Sequence, residues 1–177
     1  MAPTPGRVPV GVIFSVATAL GFFSAFAAFY FVSTFTAKPA AFGLLLALHL
    51  TYWYSWAVLT PGILWLSNKF PFERATWESA IPIHIAGVFA ATLLHVTMAV
   101  ASRMATYWVV GESLDSWLME ARRMFFLNFD WEMMTYWTIV GVSHALRYSH
   151  QARAKELSAA QMETRLVEAQ LHTLQRQ

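Results

Sequence analysis

Between Arg7 and Lys38 the chain runs for about 30 residues without one Asp, Glu, Lys or Arg. A secretory leader has an apolar region of only about 7–15 residues, too short to account for this run. About 20 apolar residues in a helix cross the hydrocarbon core of a bilayer. The run therefore reads as a transmembrane helix over residues 8–36. Hydrophobic residues make up 57% of the 177-residue chain and charged ones only 12%. An average soluble domain carries about 25% charged residues, so the whole chain is expected to live in a membrane.

Three more spans follow, over residues 40–67, 79–102 and 125–146. The last carries Asn128, Asp130 and Glu132 in its first third. Trp65, Trp77, Trp108 and Trp131 mark span borders, where indole rings sit at the headgroup level. AKPA joins the first two spans as a tight turn. Before the fourth span, Leu114, Trp117, Leu118, Ala121 and Phe125 recur at helical spacing, with Asp115, Ser116, Glu120, Arg122 and Arg123 opposite. This predicts a short amphipathic helix on the membrane surface over residues 113–123, with Ser113 as its N-cap.

Four spans place both termini on one side. That side would carry Arg7, Lys69, Arg74, Arg147, Arg153 and Lys155, and the other Lys38, Arg103, Arg122 and Arg123. The bias favours cytoplasmic termini. The formal net charge of +2, with the cations at the ends of apolar runs, gives no footprint for nucleic acid. Without cysteine there is no disulfide and no thiolate metal site. No internal repeat suggests a transporter.

After Arg147 the chain turns polar. Leu157, Ala160, Thr164, Val167, Leu171 and Leu174 alternate spacings of three and four, the a/d seam of a parallel dimeric coiled coil. The expected fold is all-α: a four-span bundle over residues 1–147 and a cytoplasmic signalling helix over residues 148–177.

The stretch YWTIVGVSHALRYSHQARAKELSAAQMETRLVEAQLHTLQRQ, residues 136–177, resembles the junction of LytS/AlgZ-type sensor histidine kinases. Val140-Gly141, His144-Ala145-Leu146 and Tyr148 are similar to the exit from that family's last span. Glu168-Ala169-Gln170-Leu171 and Leu174-Gln175 are similar to the linker before its phosphoacceptor. The resemblance implies the membrane input module of a bacterial two-component system, homodimeric and in the inner membrane. The family's acceptor segment, roughly L-Q-P-H-F-L-F-N, does not occur here, nor do its ATP-binding boxes, and His172 in L-H-T-L is not that acceptor. The expectation is a sensor region without the catalytic half and without enzymatic activity. A response regulator would be reached only through that missing half.

Ionisable residues within a span are candidates for function, because burying them in hydrocarbon is costly. His49, His84, His95 and His144 qualify. Depth along antiparallel spans groups His49 and His95 with Asp130 and Glu132, below Arg103 at the outer mouth. These five form the expected stimulus-sensing cluster. His49, His95 and Glu132 would suit a divalent metal, although no resident cofactor is expected. The cluster could equally titrate as a proton sensor, or its histidines could simply bond neighbouring helices. Four histidines also leave open a b-type haem electron-transfer protein, and the tail leaves open a dimeric membrane scaffold. Pro61-Gly62 interrupts the second span and could act as a hinge. Small residues at spacing four permit close helix contact: Ala17, Gly21 and Ala25, then Gly141 and Ala145. Tyr52, Trp53, Tyr54 and Trp56 could line an aromatic pocket.

Overall fold

A computed structural model describes residues 8–36, 41–73 and 77–174, with side chains as far as residue 165. The described residues form four helices: α1 (Val10–Phe35), α2 (Phe42–Lys69), α3 (Trp77–Val109) and α4 (Trp117–Leu174). The turn expected at residues 37–40 lies outside the described residues, as do Arg7, Lys38 and Arg74.

By length and composition α1, α2 and α3 can each cross a membrane. Their outward surfaces are apolar, with Phe22, Phe23, Phe26, Phe31, Leu93 and Leu94 exposed. Such a surface is stable against lipid and would aggregate in water. Several hydroxyls on these helices are satisfied locally: Thr18, Ser33, Thr51 and Thr97 each donate to the carbonyl four residues back. That keeps a polar group in hydrocarbon bonded at little cost. The chain is thus an all-helical membrane protein. The polar residues in α4 keep its 125–146 stretch below the hydropathy of the other three.

α2 packs on α1, α3 and α4, and α3 packs on α2 and α4. Their shared core holds Trp56, Ile63, Val88, Ala91, Tyr136 and Val140. α1 packs only on α2. Its contact stripe is the small-residue face Ala17, Gly21 and Ala25, all buried. A Cβ on Gly21 would come within 2.7 Å of Leu50 Cδ2 and 3.2 Å of Leu50 Cα. Among the described residues, Gly141 has nothing within 4 Å of the equivalent position, and Ala145 is exposed.

Two boundaries differ from the sequence reading. α3 runs seven residues past Ser102. It stops at Gly111, which takes φ +79. The Gly111 N–H donates to the Trp108 carbonyl and the Glu112 N–H to the Tyr107 carbonyl. This paired closure needs a left-handed residue, which glycine adopts without a Cβ clash. The expected surface helix over residues 113–123 is not a separate element. Residues 112–114 have no regular secondary structure, and α4 begins after Ser116, whose carbonyl accepts from the Met119 and Glu120 N–H groups. Ser116, not Ser113, holds the N-cap position. From there one helix of 58 residues continues to Leu174, about 87 Å at about 1.5 Å per residue.

Pro61 lies inside α2, and the helix continues through it; Pro61 and Gly62 are exposed. Beyond Arg147 every described side chain of α4 is exposed, including Leu157, Ala160 and Thr164 of the seam. The side chains of Val167, Leu171 and Leu174 lie outside the described residues.

The Gly21 contact makes a direct test. Gly21→Ala forces Leu50 to move and should destabilise the protein by about 1–3 kcal/mol. Gly141→Ala meets nothing and should stay within about 0.5 kcal/mol of wild type. Thermal unfolding of both variants in detergent checks the pair; equal melting temperatures would refute the close α1–α2 packing.

Candidate functional site

α4 turns one stripe inward, with Ala121, Glu132, Tyr136 and Val140 buried and Asp130 exposed. Glu132 is therefore the carboxylate delivered to the interior, and Asp130 does not join the cluster. Facing it on α3 is His95, whose Nδ1 lies 2.8 Å from Glu132 Oε2. Both side chains are wholly buried. The two atoms are close but not aligned as a hydrogen bond, and neither has another partner among the described residues. α2 supplies the rest of the shell. The Tyr52 hydroxyl donates to Glu132 Oε1 at 3.0 Å, and His95 Nε2 lies 3.2 Å from the Tyr52 carbonyl oxygen. Trp56 stacks on the His95 ring, with centroids 4.7 Å apart.

This geometry limits where protons can sit. A carbonyl oxygen only accepts, so His95 Nε2 carries a proton. Nδ1 then either carries a second proton, giving an imidazolium beside a carboxylate, or accepts one from a protonated Glu132. Both arrangements have no net charge, which full burial of the two side chains favours.

His84, three turns away on α3, is bound differently. Its Nε2 lies 3.1 Å from the Phe70 carbonyl and its Nδ1 2.9 Å from the Tyr136 hydroxyl. Nε2 donates, and Nδ1 accepts from the tyrosine. Both ring nitrogens have partners, and Phe72 stacks on the ring with centroids 4.7 Å apart. Nearby, Arg147 donates to His144 Nδ1 at 2.9 Å and lies 3.9 Å from Glu73. His84 and its neighbours tie the α2–α3 connection to the exit of α4.

His49 and Arg103 are elsewhere. Both line a cleft of about 530 Å³ between α1 and α4. Arg103 Nε lies 3.7 Å from Glu120 Oε2, and Arg123 lies 3.6 Å from the other Glu120 oxygen. Glu120 is buried, although the sequence placed it on a polar outer face. No group of three His, Asp or Glu side chains converges as a metal site among the described residues. His95 and Glu132 are brought together, but His49 completes no ligand set with them. Both ring nitrogens of His84 and of His95 face protein atoms, so axial ligation of a haem by either would have to break one of those contacts.

Tyr52, Tyr136 and Glu120 are the participants that sequence reasoning did not place in the site. The signal for Tyr52 was present, since His49, Tyr52 and Trp56 recur at three and four on one face of α2. Tyr136 stands one turn from Glu132 on the same basis.

Comparisons with protein families, with curated proteins and with solved structures return no match.

A double-mutant cycle tests the central pair. Glu132→Ala and His95→Ala should each cost about 3–5 kcal/mol, because each leaves a buried polar partner uncompensated. The double variant should cost less than their sum by about 1 kcal/mol or more. Strict additivity of unfolding free energies in detergent would show that the two side chains share nothing.

Proposed function

We propose that this chain is the membrane input module of a bacterial sensor kinase, passing a change in helix packing at the Glu132–His95 pair down α4. The observation that carries the reading is the continuity of α4. The residue whose carboxyl group faces His95 and the exposed heptad tail belong to one unbroken helix. An intramembrane carboxylate–imidazole pair is expensive, and expense of this kind is usually retained for function. In this reading the 125–146 stretch is the fourth span, its polar residues shielded by α2 and α3. Both termini are cytoplasmic, in the inner membrane.

The tail then meets a second copy along Leu157, Ala160 and Thr164, continuing through Val167, Leu171 and Leu174. A stimulus that favours one arrangement of the pair shifts α4 by rotation or sliding, and the seam reports it. Only a stimulus with different affinity for the two arrangements can do this. Pro61-Gly62 is the proposed point where α2 yields.

The cysteine-free sequence makes the test clean. Single cysteines at Leu157 and Thr164 should cross-link readily in membranes, and cysteines at Ala159 and Met162, off the seam, should not. Glu132→Gln, which fixes the pair without an ionisable carboxylate, should change the rank order of cross-linking among these positions. A seam pattern indifferent to Glu132→Gln would leave a dimeric scaffold and sink the input module. No difference between seam and off-seam positions would remove the dimer as well.

A further inference from the structure

The cleft between α1 and α4 is separate from the buried pair, yet shares a wall with it. Its floor is Tyr52, whose hydroxyl holds Glu132. Trp53 and Trp131 line its sides, with Leu127 and Met124 above. Trp53 Nε1 donates to Ser24 Oγ at 3.0 Å, which fixes the α1 wall against α2. At about 530 Å³ the cleft falls within the range of about 300–1,000 Å³ common for small-molecule sites.

One end of the cleft is charged. Glu120 is buried between Arg103 and Arg123, so the three groups carry one net positive charge. Both ion-pair separations, 3.7 and 3.6 Å, exceed hydrogen-bond length. Arg103 Nε is buried and has no hydrogen-bond acceptor among the described residues. A net positive charge at one end of a mostly apolar cleft in a membrane protein calls for an anion. The Glu120 carboxylate opposes an anion, but it is outnumbered and already lies between the two guanidiniums.

We propose that this cleft binds an amphiphile whose anionic head, a carboxylate or phosphate, sits against Arg103 and Arg123 while its chain runs along Trp53, Leu127 and Trp131. The proposal deepens the input-module reading and rests on it for biological sense: an occupant touching Tyr52 bears on the group that holds Glu132. The head chemistry is common to a free fatty acid and an anionic phospholipid.

The full chain, reconstituted in zwitterionic phosphatidylcholine nanodiscs, is tested with radiolabelled oleate. Saturable binding above protein-free discs is expected. Methyl oleate, which lacks the charge, should bind at least about tenfold more weakly, the weight of one charge-assisted hydrogen bond. The charge-free triple variant Arg103→Gln/Glu120→Gln/Arg123→Gln should lose the preference of oleate over its ester. Leu127→Trp, at an exposed wall position, should weaken binding while leaving the charges in place. Doping the discs with phosphatidylglycerol separates the sources: displacement of oleate assigns the site to bilayer phospholipid, and persistence assigns it to single-chain amphiphiles. Equal binding of oleate and its ester, binding unchanged in both variants, or no saturable binding would overturn the proposal. Cross-linking of the tail distinguishes the two readings. Oleate that binds without moving the tail pattern leaves the cleft site standing and counts against the input module. A tail that answers Glu132→Gln in a protein that does not bind amphiphile leaves the input module standing and removes the cleft site.

Discussion

A carboxylate and an imidazole, both out of reach of water, lie 2.8 Å apart where α2, α3 and α4 meet. Neither could stay in such a place alone. A lone buried charge costs several kcal/mol, and a neutral group without a partner still forfeits its hydrogen bonds. The solution draws on all three helices. α4 brings Glu132, α3 brings His95, and α2 brings a hydroxyl, a backbone carbonyl and the face of Trp56. The helices cannot slide past one another without parting these contacts. Lipid gives apolar packing little advantage over solvation by acyl chains, so polar contacts of this kind carry much of the specificity of a membrane bundle.

The second constraint is the stiffness of α4. Its inward stripe ends at Arg147, and the helix then continues with all described side chains exposed. It is held at two levels inside the bundle. One is the Glu132 junction. The other is the collar of Phe72, His84 and Tyr136, with Glu73 near Arg147 at the rim. Leu174 stands about 42 residues beyond Glu132, about 63 Å along a straight helix. A small rotation at the junction is carried along that length unless the helix breaks. No proline occurs between Glu132 and Leu174, and the helix continues through Gly141, the one glycine in that stretch.

The membrane helices were legible because uncharged runs of this length have few other uses. Gly21 was legible as a contact, since small residues at spacing four have a packing reason. The end of α3 was misjudged because Arg103 looked like the border of a span. Gly111 was the stronger signal, a glycine eight residues on that closes the helix with left-handed backbone. The separation of a surface helix from the fourth span failed for a related reason. Glu120, Arg122 and Arg123 look like surface residues, but Glu120 turns inward and finds Arg103 on α3. Pairing between distant elements is not written in the local pattern of either one. Depth brought His95 and Glu132 together on paper; it also brought His49 and Asp130, because depth fixes height in a bundle but not the direction a side chain faces.

His84 and His95 show how much that direction decides. They lie on the same face of α3, both wholly buried, and each sets one ring nitrogen against a backbone carbonyl. The carbonyl fixes the proton on Nε2 in both cases. The difference lies at Nδ1. His84 meets a tyrosine hydroxyl, which can donate to it. Adding a proton there would require the hydroxyl to turn away and a charge to stand unpaired in the bundle. His95 meets a carboxyl group, and moving the proton between them changes the charge on each while their sum stays at zero. One histidine is therefore a fixed strut. The other sets Nδ1 against a carboxyl group on a different helix, so its contact joins α3 to α4 through two ionisable side chains.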